Sequence, residues 1–242
     1  MRPACRISAE ALRLAGQAVK PGVTTAQIDK IVYDYILSQG ARPNFKGYGG
    51  FPASACISVN DVVIHGIPSH KIVLHEGDIV SIDTGAMVDG WNGDNAATFA
   101  CGEVSDTARR LMDTTRRARD AGIAAALAGN RIGDIGSAVQ AVVEAEGFSV
   151  VRTFVGHGVG RDMHEDPEVP NYGTAGHGTR LVAGMVIAIE PMVNEHSHVV
   201  KTLSDGWTTV TADGGLSAHF EHTIAITAKG PVILTQCAQS AT

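Results

Sequence analysis

The chain repeats itself at a distance of 107 residues. That shift carries Gly22 onto Gly129, Ile28 onto Ile135, Val32 onto Val139, Ile36 onto Val143 and Gly40 onto Gly147. With no gap it continues from Gly77 to Gly184, Ile82 to Ile189 and Asp83 to Glu190. Self-similarity at a fixed spacing marks a repeated structural unit. Here glycine breaks, apolar positions at helical spacing and one carboxylate recur in a single register. The sequence is therefore expected to form two copies of a helix–helix–strand unit packed about an approximate twofold axis, an α/β (α+β) arrangement. No linker separates the copies, so residues 1–242 are expected to form one domain with halves at about 8–105 and 106–230.

Element signals fit that plan. Ile7, Ala11, Leu14 and Ala18 lie on one face of an amphipathic first helix. Arg2, Arg6 and Arg13, opposed in that stretch by Glu10 alone, would also suit an organellar transit peptide, but the helical face is the better reading. Pro21-Gly22 breaks the chain, and Thr24 or Thr25 can cap a second helix that ends at Gly40. Strands are expected at Ala55–Val59, at 78–83 and, after the hairpin signal Asp89-Gly90, at about 93–99. The second half reads as helices at 106–128 and about 132–146. Its strands fall at 150–155, 185–190, about 199–203, about 208–211 and 219–227, before a frayed tail at 236–242.

Composition excludes several functions. The net charge is −6, and no basic stripe offers a nucleic-acid surface; Arg109, Arg110, Arg116, Arg117 and Arg119 sit among aspartates on a helical, solvated face. No apolar run approaches the roughly 20 residues of a membrane span. Cys5, Cys56, Cys101 and Cys237 have neither metal-type nor short pairing spacing, which suits a reducing, cytoplasmic setting.

Candidate chemistry begins at Ala188-Ile189-Glu190-Pro191-Met192. A short β-branched run delivers Glu190 to the end of a buried strand, and the proline, lacking an amide donor, stops the pairing. Taken alone, Glu190 could turn to solvent. The repeat, however, gives it a twin in Asp83, and Asp94 and Glu221 each begin a strand expected to pair beside one of the twins. Small residues follow at alternate positions (Ala96, Thr98 and Ala100; Thr223 and Ala225), leaving room beside the acids. Four converging carboxylates repel one another unless a divalent cation neutralises them. His157 stands between glycines in Gly156-His157-Gly158, His164 follows in Met163-His164-Glu165, and His65 is also followed by a glycine. Imidazole with carboxylate is the ligand mix of a Zn, Mn, Fe or Co site rather than a calcium site. The other seven histidines (70, 75, 177, 196, 198, 219 and 222) are taken as structural or exposed, His219 and His222 less securely because they flank Glu221.

In order and spacing, His65-Gly66-Ile67-Pro68, Ser81-Ile82-Asp83, Gly93-Asp94, Gly156-His157-Gly158-Val159-Gly160, Met163-His164-Glu165, Ile189-Glu190-Pro191-Met192 and Phe220-Glu221-His222-Thr223 resemble type I methionine aminopeptidases of the pita-bread metallopeptidase superfamily. The resemblance spans essentially the whole chain. It lacks a zinc-finger extension and the large insertion of type II relatives. The implied fold is two pseudo-twofold related halves around a central antiparallel sheet. The implied reaction is removal of an initiator methionine before a small second residue, by water activated between two divalent metals. By the resemblance, Asp83 chelates one metal, Asp94 and Glu221 bridge both, and His157 and Glu190 complete the second site. Glu190 is also the implied base or proton shuttle, and His65 and His164 hold and polarise the scissile amide. Phe45, Tyr48, Phe51, Cys56 and Trp207 are the implied walls of a methionine pocket, with Met163 where some relatives carry an aromatic. Nascent polypeptides near the ribosome are the implied substrate, with a monomer the expected state. A sister activity on X-Pro bonds and a non-catalytic peptide binder are the alternatives.

Overall fold

The computed structural model describes residues 1–236. The tail expectation beyond Gln236, and Cys237 with it, lies outside the described residues. Four helices carry the two halves: α1 (Arg2–Gln17), α2 (Thr25–Ser38), α3 (Asp106–Ala125) and α4 (Ile132–Ala145). In α2, Thr24 forms the capping box: its hydroxyl accepts from the Gln27 amide and the Gln27 side chain accepts from the Thr24 amide. Ile28, Val32 and Ile36 of α2, and Ile135, Val139 and Val143 of α4, are all fully buried. Removing each such side chain from water contributes roughly 1.5–3 kcal/mol.

The 107-residue shift extends beyond the positions that revealed it. Gly22 and Gly129 both take a left-handed φ, as do Gly40 and Gly147, and Gly77 and Gly184. The Gly22 amide donates to Leu74 O at 2.8 Å, and the Gly129 amide to Leu181 O at 2.9 Å. Leu74 N donates to Val23 O, and Leu181 N to Asn130 O, each at 2.8 Å. The bridge Thr24–Val73 returns as Arg131–Arg180. Backbone hydrogen bonds thus repeat where side chains do not.

Among the described residues every strand pairing is antiparallel, in sheets of four, three, three and five strands. In the first half, Ile79–Val88 and Trp91–Ala100 form a long hairpin beside Ala55–Val59, and α1 packs on it. The second half places Val186–Ile189 between His222–Thr227 and Gly156–Gly158. Here the copies diverge. The strand expected over 185–190 stops at Ile189 and resumes at Met192; that expected over 219–227 is interrupted at Phe220-Glu221, between Ser217–His219 and His222–Thr227. The two breaks face each other, because Met192 pairs with His219 and Ile189 with His222. Each of the two strand runs leaves one sheet and enters another at its acid.

Other boundaries also move. Asp94 lies inside its strand rather than at its start, because pairing begins at the turn, with Trp91 opposite Val88. No strand runs over 150–155: pairing is confined to Ser149–Val150, after which Thr153, Phe154 and Val155 line a cavity instead of a sheet. On α3, Arg116 and Arg117 pair with Asp113 in solvent, as expected, but Arg119 is largely covered and lies over the Phe220 ring.

Candidate active site

Thirteen residues singled out in the sequence line one cavity of about 340 Å³. They are His65, Asp83, Asp94, His157, His164, Glu190 and Glu221 at its acidic end, with Phe45, Tyr48, Phe51, Cys56, Met163 and Trp207 at its apolar end. Ile64, Thr153, Phe154 and Val155 complete the lining and carried no sequence signal of their own.

Local folding explains how the acids converge. Asp83 pairs with Ala96, and Gly85 with Asp94, so Asp83 and Asp94 lie diagonally on one face of the hairpin. Glu190 and Glu221 occupy the facing strand breaks, where departure from the ladder frees their side chains. Hydrogen bonds tie the two halves together at this point. Glu221 N donates to Ala96 O at 2.8 Å, Thr223 Oγ1 donates to Asp94 O at 2.7 Å, and Asp94 N donates to Thr223 Oγ1 at 3.2 Å. Asn171 Nδ2 donates to Glu190 O at 3.1 Å, holding the second break. His157 enters on the strand Gly156–Gly158, whose glycines are sterically required. A Cβ on Gly156 would lie 2.3 Å from Ala188 O, and one on Gly158 would lie 2.4 Å from Asp166 O.

Burial sets the electrostatics. It raises Asp94 from an ordinary 3.8 to about 7. Asp83, Glu190 and Glu221 are pushed well above their usual values, first by burial and then by the charge of Asp94. His65 and His157 are lowered to about 4 by burial and then by the nearby His164, and His164 is itself lowered by burial. All three imidazoles are therefore neutral at pH 7. His157 Nε2 stands 3.4 Å from Glu190 Oε1 and 4.0 Å from Asp94 Oδ2.

A divalent cation fits this cluster. Asp94, His157 and Glu221 each offer a ligand atom, all within 4.8 Å of one another. Asp83 Oδ1, Asp94 Oδ1 and Glu221 Oε1 are buried without any hydrogen-bond partner. Unsatisfied buried carboxylate oxygens cost free energy that a cation recovers.

At the apolar end, Phe45, Phe51, Ala53, Cys56 and Met163 pack as one buried cluster, against which Trp207 leans. The Phe51 and Trp207 rings meet edge to face at 5.2 Å. His65 holds a left-handed backbone, φ 57°, beside the Phe154 and Trp207 rings. Sequence reasoning placed His219 among the structural histidines. The structure buries it beside the site, with Nε2 3.6 Å from Glu190 Oε2 and without a hydrogen-bond partner. Its sequence signal was its place two residues before Glu221.

This fold, with a buried carboxylate–imidazole cluster at the junction of two repeated halves, is that of a metallopeptidase. The chain belongs to metallopeptidase family M24, whose model matches residues 1–228. Relatives within the family include methionine aminopeptidases. It is 54% identical to the one from Clostridium acetobutylicum, with 98% of this chain and 95% of the relative covered. It is 51% identical to methionine aminopeptidase 1 of Bacillus subtilis, over 98% and 95%. The crystal structure of the Thermotoga maritima methionine aminopeptidase superposes with a TM-score of 0.96 at 45% identity, covering 98% of this chain and 95% of that one. The prolidase of Pyrococcus furiosus shares the fold, with a TM-score of 0.79 at 23% identity over 98% of this chain and 63% of its own.

Proposed function

We propose that this chain removes the N-terminal methionine from peptides and nascent proteins whose second residue is small. The observation that carries the reading is one cavity with two chemically distinct ends, an acidic cluster suited to divalent cations and an apolar pocket suited to a thioether. Asp83, Asp94, His157, Glu190 and Glu221 would hold two divalent cations, drawn from Co, Mn, Fe or Zn. When bound, such ions supply Lewis acidity that brings water towards ionisation near neutral pH and steadies developing negative charge.

The chain's own residues do the rest. Glu190 takes a proton from water and returns it to the leaving amine; its buried setting, which raises proton affinity, suits that exchange. His65 and His164, whose pKa values are lowered at the cavity wall, can donate N–H to the scissile carbonyl oxygen as charge gathers there. Phe45, Tyr48, Phe51, Cys56, Met163 and Trp207 enclose the methionine side chain, and apolar, polarisable walls favour sulfur. The work is done by residues 1–242 as one domain with halves at about 8–105 and 106–230, acting as a monomer on chains emerging near a cytoplasmic ribosome. Supporting this setting, no described helix is long and apolar enough to cross a membrane, and Cys5, Cys56 and Cys101 are buried and unpaired.

The test is a comparison of Met-Ala-Ser with Met-Pro and Ala-Pro peptides after reconstitution with each metal in turn. Cleavage of Met-Ala-Ser is expected to dominate. Preference for the proline peptides would transfer the chain to X-Pro cleavage, and a metal-loaded protein inert on all of them would make it a binding protein.

A further inference from the structure

Tyr48 sits at the cavity mouth on the turn Tyr48–Gly50, with its side chain half-exposed. A residue serving only as a pocket wall needs its ring alone. Here the hydroxyl is engaged: Tyr48 Oη and His164 Nδ1 lie 2.8 Å apart, and the two ring centroids are 5.3 Å apart. The imidazole also packs against a second ring, since the His157 centroid is 4.1 Å away. His164 is thus held at one nitrogen and by its ring, leaving Nε2 as the nitrogen open to a substrate.

We propose that Tyr48 is a positioning residue for His164, acting through its hydroxyl. A neutral imidazole carries one proton on either nitrogen, and the partner of one nitrogen decides which. A phenol that donates to Nδ1 makes that nitrogen the acceptor and places the proton on Nε2. In that tautomer Nε2–H points into the site as a donor; in the other, a lone pair would face the carbonyl oxygen and repel it. The turn helps to set the angle of approach. Gly47, Gly49 and Gly50 all have positive φ, which brings Tyr48 back over the cavity, and the Tyr48 amide donates to Phe45 O at 3.0 Å. The inference rests on His164 acting at the scissile carbonyl, and its test separates the two claims.

The experiment is Tyr48→Phe in the metal-loaded enzyme, with kcat and KM measured on Met-Ala-Ser and ¹⁵N NMR of the His164 ring. Loss of one transition-state donor costs on the order of 10²-fold in kcat, so a fall of at least about tenfold is expected. KM should stay within about twofold because the ring remains, and the ¹⁵N signals should leave the Nε2–H pattern. In a His164→Ala background the same change should have no further effect. Wild-type kcat in Tyr48→Phe, a rise confined to KM, an unmoved tautomer, or an effect that persists without His164 would each overturn the proposal. Wild-type kcat in His164→Ala alone would instead overturn the reading on which it rests.

Discussion

Glu190 holds its place through backbone rather than side-chain contacts. Its strand ends one residue earlier, Pro191 removes the next amide donor, and Asn171 holds its carbonyl. The carboxylate is left to face His157 and His219 at 3.4 and 3.6 Å. Glu190→Gln keeps the shape but removes the base and one anionic ligand. We expect kcat to fall by at least about 10²-fold and metal affinity, read by calorimetry, to weaken. Wild-type rates would remove Glu190 from the role of base. At the other end of the cavity, Trp207 borders both Phe51 and His65 but belongs to no buried ladder position. Trp207→Ala should raise KM for methionine peptides with little loss of thermal stability, and unchanged kinetics would take it out of the pocket. His219 marks the limit of what residue patterns reveal. His219 stands two residues before Glu221, a spacing that shares a face along a continuous strand, but its approach to Glu190 depends on the facing breaks, where Met192 pairs with His219.

At the scale of elements, the helices were legible because propensity, periodicity and stops agreed: α2 and α4 begin and end within three residues of their glycine or threonine signals. The long hairpin was legible through Asp89-Gly90. What was not legible was the short pairing around the site, at Glu165–Val169, Met192–Asn194 and Gly230–Ile233, whose residues alternate too briefly to show a period. The strand Gly156–Gly158 is the extreme case, since two glycines carry no β signal. Its identity follows from close approach instead. Gly156→Ala would drive a methyl group into Ala188 O on the neighbouring strand. Because the obstacle is backbone, the strand must shift, at a cost of about 1–3 kcal/mol, readable as a lower urea midpoint with unchanged slope. His157 rides on that strand, so metal affinity should fall in the same variant. Normal stability together with normal affinity would show that the close packing is not needed.

Across the whole molecule, the repeated halves concentrate charge where they meet. Without metal this carries a cost with a defined pH dependence. Asp94 is raised from 3.8 to about 7, and Asp83, Glu190 and Glu221 are also raised well above their usual values, so the folded chain binds more protons than the unfolded one as pH climbs past the ordinary carboxylate range. Stability contributed by such groups is present below their unfolded values and is lost as pH rises through the folded ones. The buried histidines act in the opposite sense. His65 and His157 at about 4, and His219 and His222 at about 3, favour the unfolded state in acid; above about pH 6.5 they are neutral in both states and drop out. The raised carboxylates then set the slope from about pH 7 to 8, above which the thiols of Cys5, Cys56 and Cys101, raised from 9.0 by burial, act in the same direction. In that window the melting temperature of chelator-treated protein should fall steadily as pH rises. Reconstitution with Co or Mn should restore it most at the alkaline end, because ionised carboxylates bind the cation and binding to the folded state adds stability by mass action. A metal-free protein whose melting temperature is flat over this range would show that the acids are already neutralised by some other means, and the cluster would lose its claim to be a cation site.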